Sequence, residues 1–91
     1  MQVRWTRPAA QDLELIARRI RQDNPAVARR IARTIYERCM GLELFPNRGR
    51  NGRIADTREL VFAPLPYIAV YRVKDDAVEI LRIYHSSQDW P

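Results

Sequence analysis

Two runs of β-branched and aromatic residues, Tyr67 to Val73 and Val78 to Tyr84, stand on either side of a short acidic pair, Asp75-Asp76. Runs of that composition around a turn pair read as neighbouring antiparallel strands, because Asp supports the tight backbone such turns need. Both runs are apolar at successive positions over much of their length, not only at alternate ones. That pattern predicts central strands, covered on one side by helices and partly occluded on the other. Pro66 precedes the first run, and the second gives way abruptly to a polar tail that closes on Gln88-Asp89-Trp90. Whatever precedes this hairpin must supply its cover.

The preceding chain has the periodicity to do so. Met1, Val3 and Trp5 alternate with Gln2 and Arg4, the period-2 signal of a short strand with one buried face. Thr6 is placed to cap a helix, and Pro8 fits its first turn. Ala9, Leu13, Ile16, Ala17 and Ile20 then recur on one helical face, with Arg18, Arg19 and Arg21 on or beside the other. Asp23-Asn24-Pro25 ends this helix and caps a second. In the second, Ala28, Ile31, Ala32, Ile35, Cys39 and Leu42 form the apolar stripe, and Arg29, Arg30, Arg33 and Arg38 point to solvent. So short a link makes the two helices an antiparallel αα-hairpin. Leu44-Phe45-Pro46 is expected to close the second helix, because proline cannot continue it.

Next comes Asn47-Arg48-Gly49-Arg50-Asn51-Gly52-Arg53, read as a mobile basic connector. Its glycines would let amides face an anion, but it matches no phosphate-binding loop. Arg58 to Phe62 is a further strand, broken by Pro64 and Pro66. The order is β-α-α-β-β-β, which predicts an α+β fold with a small, mostly antiparallel sheet and the helical hairpin packed on one face. A chain of 91 residues is too short for two independent cores, so residues 1–91 are expected to form one domain.

Charge narrows the partners. Fifteen of the sixteen basic residues are Arg, and only Lys74 is Lys. Arginine's planar fork suits carboxylate and phosphate, although a GC-rich genome would also favour its codons. Residues 1–53 hold twelve Arg against five acids, net +7, whereas residues 54–91 hold four basic residues against six acids, net −2. The asymmetry points to an anionic partner, either nucleic acid or an acidic protein segment. No apolar run approaches the roughly 18 residues a membrane span requires. The opening residues lead directly into a strand and a charged helix, so no secretory signal is expected. The lone Cys39 fits a reducing, cytoplasmic setting and reads as a small buried hydrophobe.

Catalytic sets are thin. One Cys and one His exclude zinc sites of the Cys/His type, so neither a metal nor a cofactor is expected. No Gly-x-Ser-x-Gly elbow is present. What remains near the strand ends is Arg58, Arg72, Arg82, Tyr84 and His85. These could bind a phosphate and move protons during phosphodiester cleavage. Equally, Arg72 or Arg82 could pair with Glu59 or Glu79 across a solvated sheet face.

Arg58-Glu-Leu-Val, Pro66-Tyr-Ile-Ala-Val-Tyr-Arg-Val and Val78-Glu-Ile-Leu-Arg-Ile-Tyr-His, with the closing Gln-Asp-Trp, together resemble the RelE/ParE superfamily of bacterial type II toxins, often described as plasmid stabilisation proteins. The opening Val-Arg-Trp-Thr-Arg-Pro-Ala-Ala-Gln-Asp-Leu is similar to the family's start, so the resemblance spans essentially the whole chain. RelE-type members are ribosome-dependent mRNA endonucleases with an Arg in the third strand and reactive side chains just past the last. Here Ile68 stands at the first of these positions and Ser86-Ser87 near the second, although a slip of one residue would restore His85. The wording is closer to the ParE branch, whose members inhibit DNA gyrase and are not known nucleases.

The resemblance therefore implies a gyrase-binding toxin held in a hetero-oligomer by a ParD-like antitoxin with an acidic C-terminal segment. Arg18, Arg19, Arg29, Arg30, Arg33, Arg72 and Trp90 are the expected partner-binding residues. The alternative it leaves is an mRNA endonuclease using Arg58, Arg82 and His85, and a further one is a non-toxic remnant that only binds antitoxin.

Overall fold

The computed structural model describes residues 1–90. Strand β1 (Gln2–Trp5) leads into helix α1 (Arg7–Arg21) and helix α2 (Pro25–Met40), followed by strands β2 (Arg50–Asn51), β3 (Arg58–Val61), β4 (Tyr67–Lys74) and β5 (Ala77–His85). The five strands form one sheet in the order β1-β5-β4-β3-β2. Only the β1–β5 pair is parallel; the other three pairs are antiparallel. The expected α+β architecture is what forms, with one more strand than the sequence suggested.

Local chemistry sets the helix starts. The Thr6 hydroxyl accepts from Ala9 N (3.3 Å) and donates to Ile80 O (2.9 Å), so one side chain caps α1 and pins it to β5. Asn24 Oδ1 accepts from Val27 N (3.2 Å), with Pro25 in the first turn of α2. The end of α2 differs from expectation. The helix stops at Met40, well before Pro46, and the chain continues as a 3₁₀ turn over Gly41–Glu43. That tighter turn keeps Leu42 fully buried, which explains why the apolar stripe ran past the helix end.

The main core lies between the helical hairpin and the sheet. Ala9, Ile35, Cys39 and Leu42 pack there on Leu60, Phe62, Ala69, Tyr71, Val78, Ile80 and Ile83. A second, smaller cluster of Ile68, Val70 and Tyr84 sits on the opposite face, partly covered by Leu81 and Trp90. The two-sided apolar pattern of the central strands thus has its cause. Met1, expected on the buried face of β1, is 45% exposed, and Val3 and Trp5 are half-buried, because β1 is an edge strand.

Two irregularities shape the central hairpin and the helix-free face. Asp75 turns the β4–β5 hairpin with φ of 55°, the left-handed conformation that Asp tolerates. In β5 the register shifts: Tyr71 faces Ile80, but Val70 faces Arg82, which leaves Leu81 as an extra residue. The bulge lets Ile80 and Ile83 both enter the main core. It also sends Arg82 to the helix-free face, beside Val70 and Tyr84.

Candidate functional site

The segment expected to be a mobile basic connector is tied down. Its Arg50-Asn51 forms β2 against β3. The buried Tyr71 hydroxyl donates to Pro46 O (2.7 Å) and accepts from Gly49 N (2.8 Å). A Cβ on Gly49 would stand 2.7 Å from Tyr71 Cε1 and 2.9 Å from Glu59 O, so the close approach requires glycine. Burial pushes the Tyr71 phenol above its ordinary pKa, while its bond to Gly49 and the nearby Arg58 and Arg48 oppose the shift.

Carboxylates neutralise most of the Arg residues around the helix-free face. Glu59, only 2% exposed, accepts from Arg50 Nε (3.2 Å) and Nη2 (3.0 Å), and from Arg53 N (3.2 Å). Arg72 Nε pairs with Glu79 at 2.6 Å. Arg82 does not pair with either Glu considered from sequence. It reaches round the free edge of β5 to Asp12 in α1, with bonds of 2.7 and 3.0 Å, and Asp12 also accepts from Ile83 N.

Residues 86–90 fold back over this face. Ser86 N donates to Pro66 O (2.8 Å), and Gln88 Oε1 accepts from His85 N (2.7 Å). The His85 Nδ1 accepts from Ser87 N (3.1 Å), which puts the neutral ring's proton on Nε2. Trp90 then stacks on Tyr84, with ring centroids 5.5 Å apart and 19° between planes. The Arg82 guanidinium lies 5.6 Å from the indole, and Arg53 Nη1 donates to Trp90 O at 2.7 Å. Beneath them the Tyr84 hydroxyl is buried without a hydrogen-bond partner among the described residues. Burial first, and then Glu59, raise the Tyr84 pKa against the opposing pull of Arg53 and Arg50, so the phenol stays neutral near pH 7.

The structure does not bring Arg58, Arg82 and His85 together. Arg58 lies opposite Tyr71 and donates to Gly49 O (2.7 Å) and Asn47 O (3.4 Å). His85 lies opposite Tyr67, four residues away along β4, or about 13 Å at ~3.3 Å per residue. Its ring meets Tyr67 edge-on at 5.4 Å, and although Arg82 and His85 line the same groove beside α1, the Arg82 guanidinium there is held by Asp12.

The expected partner-binding residues fall in two places. Arg18, Arg19, Arg29, Arg30 and Arg33 are all exposed near the turn of the helical hairpin, where residues 15–36 carry six Arg against one acid, Asp23. Arg18 makes only a loose surface pair with Glu14 at 3.7 Å. Arg38, expected in solvent, is half-buried over the Phe62 ring and donates to Val61 O. Arg72 and Trp90 belong to the helix-free face, Arg72 already paired and Trp90 half-buried.

Sequence reasoning did not single out Asp12, Arg50 or Arg53. Glycines on either side of Arg50 were the one local hint that this loop is built for close contact. Among the described residues no group of three His, Cys, Asp or Glu could hold a metal, and no helix is long and apolar enough to cross a membrane.

Residues 3–90 match the family model described as "ParE toxin of type II toxin-antitoxin system, parDE". The Sinorhizobium fredii protein named "Putative toxin Y4kP" is 44% identical over 89 residues, which is 98% of this chain and 92% of that protein. Toxin RelE2 of Caulobacter vibrioides is 40% identical over 87 residues, 96% of this chain and 97% of the relative. Among solved structures, a chain of the chromosomal ParDE system from P. aeruginosa superposes with a TM-score of 0.86 at 32% identity, covering 93% of this chain and 95% of that one. The Helicobacter pylori protein HP0894 shares the fold, with a TM-score of 0.61 at 19% identity over 99% of each chain.

Proposed function

The chain belongs to the ParE toxin family of type II toxin–antitoxin systems, and from that premise we propose that it arrests growth by binding DNA gyrase rather than by cutting RNA. The observation that carries this reading is the state of the three nuclease candidates. Arg58 is engaged by loop carbonyls, Arg82 by Asp12 and the His85 Nδ1 by Ser87. Phosphodiester cleavage needs a cation and proton-transfer groups converging on one phosphate. Arg58 and His85 lie four rungs apart, and the neighbouring Arg50 and Arg82 are neutralised by carboxylates.

A cognate antitoxin would hold the toxin inactive in a hetero-oligomer in the cytoplasm. Its acidic segment would lie across Arg18, Arg19, Arg29, Arg30 and Arg33, whose guanidiniums are exposed and without buried partners. Arg72 and the apolar site that Trp90 covers belong to a second contact surface on the helix-free face. The ParDE assembly of the structural neighbour supports an antitoxin partner.

Purified protein is expected to block supercoiling by gyrase and to leave in vitro translation intact. Normal supercoiling at high toxin excess would sink the proposal. The 40% identity to Toxin RelE2 keeps a second reading, a ribosome-dependent mRNA endonuclease. That reading requires cut mRNA in the translation assay, abolished by His85→Ala. A chain that only binds antitoxin would cause no growth defect when expressed alone.

A further inference from the structure

We propose that Ser86–Trp90 is a displaceable strap, and that the site filled by its indole takes an aromatic residue flanked by an acid from another polypeptide. The inference stands whichever target the toxin has. The floor of the site is Ile68, Val70 and Tyr84, the smaller buried apolar cluster on the face away from the helices. An aromatic ring fits it in a defined way, since Trp90 stacks on Tyr84 and lies beside the Arg82 guanidinium. Arg53 Nη1 supplies a single donor, presently given to Trp90 O.

The hold is light. Ser86, Ser87, Gln88 and Asp89 are all exposed, and the Arg53 bond faces solvent. Closing the strap also leaves the Tyr84 hydroxyl buried and unpartnered, a cost that opening relieves. A groove of about 490 Å³ runs beside it between α1 and the strap, floored in part by Leu15, Ile16 and Tyr67, and gives a second chain a way in.

Charge selects the kind of partner. Arg50 and Arg82 each carry a carboxylate partner, Glu59 and Asp12, so these two guanidiniums are already neutralised and the charge left beside the indole suits a single acid better than a polyanion. Arg53, which reaches the Trp90 carbonyl, and Arg19, across the groove on α1, have no carboxylate partner in the described residues. One aromatic ring and one acid complement this surface. The strap's own Asp89-Trp90 has that composition, and it acts as a resident competitor.

The test uses the full chain carrying Trp90→Ala and, as probe, the blocked peptide Ser-Ser-Gln-Asp-Trp, followed by NMR shifts of residues around Tyr84. A strap closed nine-tenths of the time weakens a competitor about tenfold, so the peptide should bind the variant at least that much more tightly than the parent chain. Adding Arg53→Ala should remove the gain. Equal affinity for the variant and the parent, or tighter binding of a four-nucleotide RNA than of the peptide, overturns the proposal. A second measurement keeps Trp90 in place. With Trp5→Phe leaving a single indole, Arg53→Ala should raise acrylamide quenching of Trp90, and Tyr84→Phe, which removes the stranded hydroxyl, should lower it. Quenching unchanged in both overturns the strap.

Discussion

Replacing Tyr71 by Phe removes one oxygen from the centre of the protein and leaves the volume of the ring. That oxygen serves two backbone groups 25 and 22 residues away, Pro46 O and Gly49 N. Gly49 is buried, and the ring of residue 71 fills the space above it, so its amide has no route to water. An orphaned buried donor costs about 1–3 kcal/mol, whereas the half-buried Pro46 carbonyl can recover part of its bond from solvent. The sum is roughly 2–3 kcal/mol. For a domain of this size that lowers the melting temperature by about 10–20 °C and shifts the urea midpoint down by about 1–3 M. Chemical denaturation measures the loss, and hydrogen exchange locates it. The Gly49 amide should be protected in the parent chain and exchange rapidly in the variant. A loss under about 0.5 kcal/mol, or an unchanged Gly49 exchange rate, would mean that the loop rehydrates freely and that this phenol does not hold it.

Other perturbations separate buried from exposed polar contacts. Asp12→Ala should cost about 1–3 kcal/mol in denaturant titrations, because it strands Ile83 N as well as Arg82. Arg72→Ala removes a pair of similar length whose side chains are 41% and 25% exposed, and should change stability by less than about 0.5 kcal/mol. Thr6→Val should cost about 1 kcal/mol through the lost cap, and Thr6→Ser should restore it. Burial pushes the Cys39 thiol up to about 12 from its ordinary 9.0, against a smaller opposing effect of Arg38. Between those values the unfolded chain loses the proton and the folded chain keeps it, so stability falls as pH rises. That one group contributes a loss on the order of 4 kcal/mol across the window. Cys39→Ala should flatten the fall measured by urea midpoints from pH 9 upward, and an equal slope in both chains would refute the assignment.

How much of this was legible in the sequence depends on how far apart the interacting residues lie. The caps at Thr6 and Asn24, the prolines behind them and the Asp75-Asp76 turn act over two to four residues, and their chemistry can be read directly. The apolar stripes identified the core face of both helices because burial follows period, and the residues of the superfamily resemblance lie mostly on these same elements. What escaped reading joins distant segments. Asp12 meets Arg82 across 70 positions, where Glu59 and Glu79 were the nearer candidates along the sheet. Strand β2 is two residues long and owes its order to Glu59 and Tyr71, so nothing in the composition of residues 47–53 distinguishes it from a solvated loop. The end of α2 was missed because a 3₁₀ turn continues the same apolar stripe. The nuclease candidates looked adjacent because they sit near strand ends, but the register that separates Arg58 from His85 is invisible without the pairing.

The extra residue in β5 has a consequence for how this chain can vary. Up to Ile80 the strand is in one phase, and from Arg82 onward it is in the opposite phase. Substitutions on either side of Leu81 change one contact each. Deleting Leu81 itself would remove the bulge and leave Ile80 and Ile83 together on the core face, with Arg82 and Tyr84 on the other, because residues two apart in a strand share a face. The bulge is therefore the point in β5 at which the chain can lose a residue and keep both faces. Among descendants of this chain, a one-residue deletion in β5 should fall at Leu81 and not beyond Ile83, where it would exchange the faces.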